Sequence, residues 1–145
     1  MKRRISLLGS TGSIGRQSLE VIAACDMTVA ALAANRDAAR LEEQCRRFAP
    51  SLAVMMDPAA AKDLSLRLSD TSVRVASGME GLLEAASLEE ADTVLTAVVG
   101  MVGLRPTLAA LQAGKRVALA NKETLVCAGE LVMDMADRCG GEVVP

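Results

Sequence analysis

A chain of 145 residues is one domain by length and buries roughly two thirds of its unfolded surface on folding. It is 51% hydrophobic and 23% charged, carries a formal charge of −2 and has a single aromatic residue, Phe48, which excludes a basic stripe or stacking platform for nucleic acid. No apolar run approaches the ~18 residues of a membrane span, and the opening MKRRISLLGS turns to glycine too early for a signal peptide, so the expectation is a cytoplasmic protein with no membrane partner.

Histidine is absent, which removes Ser-His-Asp and Cys-His catalysis from the chain and argues against zinc. Cys25, Cys45, Cys127 and Cys139 form no CxxC pair and read as reduced, mostly buried thiols. Chemistry here has to come from lysine, carboxylates, hydroxyls or a cofactor.

In chain order, strand-like runs fall at Arg4 to Leu8, Met27 to Ala33, Leu52 to Met56, Val73 to Ala76, Thr93 to Val99, Val117 to Ala120 and Glu142 to Val144. Helical segments lie between them. Leu41, Cys45 and Phe48 recur at i, i+4 and i+7, and Leu125, Ala128, Val132 and Met135 mark a later helix. Asp37 is placed as an N-cap, Pro58 and Pro106 at helix starts, and Gly114 at a helix end. The runs at 93–99 and 117–120 are almost wholly apolar, as strands are when helices cover both sheet faces. The predicted fold is a doubly wound, mostly parallel α/β sheet. The chain stops inside a strand-like run, at GGEVVP, which reads as a piece of a longer polypeptide.

The stretch GSTGSIG, Gly9 to Gly15, joins the first strand to the first helix. In an open parallel sheet ligands bind beyond the carboxyl ends of the strands, where the strand order reverses. Gly9 permits a tight turn, Gly12 admits a pyrophosphate close to the backbone, and Gly15 lets helix and strand pack closely. The amides of Gly12, Ser13 and Ile14 are then free to face an anion, with Ser10, Thr11 and Ser13 adding hydroxyls. The spacing is GxxGxxG, a variant of the dinucleotide-binding pattern, and a glycine-rich turn without a ligand is the competing explanation. No Gly-Lys-Ser/Thr follows, so it is not a Walker loop.

The second strand ends Ala34-Asn35-Arg36-Asp37. Arg36 could clamp a ribose 2′-phosphate with two N–H groups and Asn35 could add a hydrogen bond, which favours NADPH. A ribose-binding Asp37 would favour NAD instead, although a helix cap explains that residue more simply. Ala97 to Gly103, with Gly100 at its centre, leaves the strand expected beside the first one, and its small residues would admit a nicotinamide ring or merely start a helix. Ala120-Asn121-Lys122-Glu123 leaves the next strand toward the same crevice.

GSTGSIG, LAANRD, AVVGMVGLRPTLAALQAGK and above all LANKETLV, in this order, resemble the 1-deoxy-D-xylulose 5-phosphate reductoisomerase family along the whole chain. That resemblance implies a Rossmann-like NADPH-binding domain over 1–145. The complete enzyme would rearrange a phosphorylated ketose, 1-deoxy-D-xylulose 5-phosphate, and reduce the product with NADPH to 2-C-methyl-D-erythritol 4-phosphate, on the non-mevalonate route to isoprenoids. Carried over by position, Thr11, Gly12, Ser13 and Ile14 hold the pyrophosphate, while Ala34, Asn35 and Arg36 surround the 2′-phosphate. Asn121 and Glu123 contact the cofactor, and Lys122 contacts the substrate. Many relatives carry Gly at the position of Ala34, and Lys or Ser with Asn at those of Asn35 and Arg36. The family's magnesium or manganese ligands are expected beyond Pro145, no catalytic residue is expected within the chain, and the complete enzyme is expected to be a homodimer. Two further readings suit the loops: the cofactor domain of another dehydrogenase, such as homoserine dehydrogenase, and a non-catalytic Rossmann-like sensor.

Overall fold

The computed structural model describes residues 2–98, 100–120 and 122–144, and for residues 100, 122, 123 and 127 it describes the backbone alone. Among the described residues, seven strands and six α-helices alternate as β1 (Arg4–Leu8), α1 (Ser13–Ala24), β2 (Thr28–Ala34), α2 (Ala38–Phe48), β3 (Leu52–Met55), α3 (Pro58–Arg67), β4 (Arg74–Ser77), α4 (Gly78–Ala86), β5 (Thr93–Thr96), α5 (Leu104–Gln112), β6 (Arg116–Leu119), α6 (Lys122–Cys139) and β7 (Glu142–Val144). A 3-10 turn, Gly100–Gly103, precedes α5.

All strands are parallel, in the order β4-β3-β2-β1-β5-β6-β7. The order reverses between β1 and β5, so the first strand sits at the centre and the loops after β1, β2 and β5 meet above it. Strand alternation divides the core. Ile5, Leu7, Leu32, Ala34, Ala53 and Met55 face one side, with Leu19, Ile22, Leu41 and Leu64 from α1, α2 and α3 against them. Leu8, Ala31, Ala33, Leu52, Val54, Val94 and Val117 face the other, beneath Leu82, Leu111 and Val132 from α4, α5 and α6. Burial on both faces is why these strands read as continuous apolar runs rather than alternating ones.

The caps fall where side-chain chemistry directs them. Asp37 accepts a hydrogen bond from the Arg40 amide at 3.1 Å, and Asp57 accepts one from Ala60 at 3.0 Å, with Pro58 opening α3. Gly114 adopts φ of +73° after α5. Strands β2, β3, β4 and β6 shift by one residue from the sequence reading, and two boundaries differ by more. β5 ends at Thr96 rather than Val99: Ala97 donates a last bond to the Leu8 carbonyl at 2.7 Å, and the chain then leaves the sheet. Val99 itself lies outside the described residues. Pro106 is the third residue of α5 rather than its first, a position where the missing N–H has no intrahelical acceptor to lose. α6 is interrupted at Ala128 (φ −142°, ψ 27°), so the stripe from Leu125 to Met135 spans a kink.

No described helix is long and apolar enough to cross a membrane.

Candidate functional site

The loop from β1 to α1 is held by backbone on three sides. The amides of Gly9 and Ser10 both donate to the Ala33 carbonyl of β2, at 2.8 and 2.9 Å. Gly9 has φ of +90°, and a Cβ there would stand 2.8 Å from the carbonyl carbon of Ala97, in the segment after β5. Gly15 lies against the Gly9 peptide and Ser10 Cα, so α1 begins in direct backbone contact with the end of β1. Gly12 differs from both. A Cβ on it would meet only the Gly9 oxygen, at 3.8 Å, so the protein's own packing does not require glycine there.

α1 opens with Gly12 as its N-cap, and no side chain caps it. Among the described residues, the amides of Thr11, Gly12, Ser13 and Ile14 donate to no protein acceptor. Gly12, Ser13 and Ile14 are exposed. Four amides without a protein acceptor at the positive end of a twelve-residue helix have the chemistry to receive an anion.

This helix start borders a crevice of about 310 Å³ at the switch point, lined by Gly9, Thr11 and Gly12 from the first loop, Ala34 and Asn35 from the second, and Ala97 and Val98 after β5. Ala33, Met56, Leu82 and Val102 complete it, and none of these four belonged to the sequence-predicted site. Met56 could have been found from its place at the carboxyl end of β3. Leu82 sits on α4, 26 residues farther along the chain, and only the fold brings it there.

Arg36 is exposed at the end of this loop and makes no ion pair or side-chain hydrogen bond among the described residues. Asp37 is occupied as the cap of α2, with its second oxygen 3.4 Å from Arg40 Nε. The loop is pinned from below, because the Asp57 amide donates to the Asn35 carbonyl at 3.0 Å.

One predicted contributor sits inside the fold. Ser10 is wholly buried, and its hydroxyl is not offered to the crevice as the sequence reading expected. The two hydrogen bonds that the Gly9 and Ser10 amides donate to the Ala33 carbonyl draw this part of the loop into the sheet. Of the remaining predicted residues, Asn121 lies outside the described residues, as do the side chains of Lys122 and Glu123. Gly100 begins the 3-10 turn that leads into α5.

The central glycine loop, the reversal of strand order beside it and the open amides at its end define a doubly wound domain of the Rossmann type. The family model for 1-deoxy-D-xylulose 5-phosphate reductoisomerase matches residues 5–129, and the chain belongs to that family. A relative of the same name from Moorella thermoacetica is 51% identical over the whole of this chain and 38% of its own length. The structure of the Zymomonas mobilis enzyme in complex with NADPH superposes with a TM-score of 0.94 at 41% identity, covering 100% of this chain and 38% of that one. A hyperthermophilic archaeal homoserine dehydrogenase shares the fold alone, at 18% identity and a TM-score of 0.67 over 99% of this chain and 43% of its own. The chain thus spans about 38% of the length of the curated relatives it matches.

Proposed function

We propose that this chain is the NADPH-binding part of a 1-deoxy-D-xylulose 5-phosphate reductoisomerase. The observation that carries this reading is the set of unpartnered amides from Thr11 to Ile14, opening on a crevice in which Gly12 leaves space that the protein does not fill. Those amides hold the pyrophosphate, and the absence of a Cβ at Gly12 lets phosphate oxygens reach them. Arg36, exposed and uncommitted, takes the ribose 2′-phosphate with Asn35 beside it, while Ala34 leaves room for the ribose. Ala97 and Gly100 flank the nicotinamide, Asn121 and Glu123, which follow β6 in the chain, contact the cofactor near its nicotinamide end, and Lys122 reaches the substrate as a point charge.

When bound, NADPH supplies the hydride for the reductive half of the reaction, in which rearranged 1-deoxy-D-xylulose 5-phosphate becomes 2-C-methyl-D-erythritol 4-phosphate. This chain's own residues bind and orient. Among the described residues no three His, Cys, Asp or Glu side chains gather as a metal site. A solved relative is in complex with magnesium, and we assign the corresponding site to the part of the enzyme outside the span matched here. The complete protein is read as a cytoplasmic homodimer acting on a phosphorylated small molecule.

An equilibrium titration following NADPH fluorescence tests the reading. The expected result is saturable binding with preference over NADH; no binding at millimolar NADPH overturns it.

A further inference from the structure

We infer that Gln44, on α2, is the positioning residue that aims the pyrophosphate-binding loop. The inference rests on the assignment of the crevice to NADPH. Gln44 Nε2 donates to the Ser10 carbonyl at 2.9 Å, across 34 residues of sequence, and this is the described side-chain hydrogen bond that reaches the loop from another element. Gln44 is 9% exposed, and it borders the groove between α1 and α2, whereas Thr11 and Gly12 border the crevice.

A trans peptide fixes the consequence. The Ser10 carbonyl and the Thr11 N–H belong to one planar unit and point in opposite directions. With the carbonyl held toward α2, the Thr11 N–H turns away from α2, and it has no protein acceptor among the described residues. Gln44 therefore sets the orientation of the first of the amides from Thr11 to Ile14. Packing alone does not account for it. Leu41, Cys45 and Phe48 supply the apolar stripe of α2, and a glutamine among them leaves its own Oε1 buried without a partner. A leucine would avoid that cost. The same helix is capped by Asp37, next to Arg36, so α2 links the 2′-phosphate loop to the pyrophosphate loop.

The test uses this chain with Gln44→Leu and Gln44→Met, titrated with NADPH, NADH and adenosine 2′-phosphate, with folding checked by circular dichroism. NADPH and NADH should each weaken about tenfold, the loss expected from one misdirected buried hydrogen bond, while adenosine 2′-phosphate, which has no pyrophosphate, should bind as before. Undiminished NADPH binding by a folded variant overturns the inference, and so does a matching loss for adenosine 2′-phosphate, which would mark a general structural role. Amide hydrogen exchange on the unsubstituted chain needs no variant to fold. Thr11 should exchange quickly when free and slow on adding NADPH, whereas Ser10, bonded to Ala33, should be protected throughout; a Thr11 amide indifferent to NADPH overturns the inference. If the unsubstituted chain binds no NADPH, the crevice assignment itself has failed, and that is visible before any variant is made.

Discussion

The α-carbon of Gly15 rests against the carbonyl of Gly9, so closely that a Cβ on Gly15 would overlap the Gly9 oxygen and stand 2.8 Å from Ser10 Cα. The obstructing atoms are backbone and cannot swing aside. Gly15→Ala should therefore destabilise the chain by about 3 kcal/mol or unfold it, the upper range for overpacking a core. Gly12→Ala is its counterpart. Its Cβ meets only one atom, at 3.8 Å, so the melting temperature should stay close to that of the parent while NADPH affinity falls at least about tenfold, because the methyl group occupies the ligand's space. Thermal melts and NADPH titrations of the two variants check the pair; a stable Gly15→Ala or a fully binding Gly12→Ala contradicts this assignment of roles.

Arg36→Glu should weaken NADPH at least about tenfold more than NADH, since a carboxylate repels the 2′-phosphate that the guanidinium would attract. Arg36 has no protein partner to lose among the described residues, so stability should be unaffected. Competition between the two nucleotides for the variant measures the ratio, and an equal loss for both would remove Arg36 from the 2′-phosphate site.

The cysteines should separate by reactivity. Cys45 is 2% exposed, and burial, reinforced by the nearby Glu42 carboxylate, pushes its thiol up to about 12. Cys25 is exposed. Thiol titration of the folded chain at neutral pH should modify Cys25 readily and leave Cys45 untouched until denaturant is added. Prompt labelling of Cys45 in the native chain would show that α2 opens more easily than its packing implies.

The outer faces of α2 and α3 carry an ion-pair network in which Glu42 contacts Arg46 at 3.1 Å and Arg67 at 3.2 Å, and Arg46 also holds Asp70 at 2.9 Å. Hydrogen bonds from Arg46 and Arg67 lower the Glu42 carboxyl below its ordinary value, and Arg46 lowers Asp70 in the same way. A lowered folded-state value means stability that is present above the unfolded carboxylate range and lost as pH falls through the folded value. Stability should accordingly decline on acidification below the usual glutamate range. Glu42→Gln should flatten that slope, and molar salt should shrink the difference, because the groups are solvent-screened. Denaturant melts across acidic pH test this, and identical slopes for parent and variant would dismiss the network as a source of stability.

The strands, the alternation of helices and the glycine loop were legible in the sequence because each is a local pattern: apolar runs, helical spacing, and glycines where backbone must turn or approach. Asp37 as a cap and Gly15 as a packing glycine follow from chemistry within a few residues of chain. The inward placement of Ser10 was not legible, since it depends on the Ala33 carbonyl of a neighbouring strand. The boundary of β5 was missed because an apolar residue such as Val98 suits a crevice wall as well as a strand. Gln44 left one trace, a polar residue at i+3 within the stripe that begins at Leu41, and nothing local names the carbonyl it reaches. Sequence by itself determined which segments extend and coil and where the glycine loop falls, because those depend on residues only a turn or two apart. The direction in which that loop's amides point, and the walls that Met56 and Leu82 bring to the crevice, were decided by tertiary structure, because each requires contacts between groups that only the folded sheet brings together.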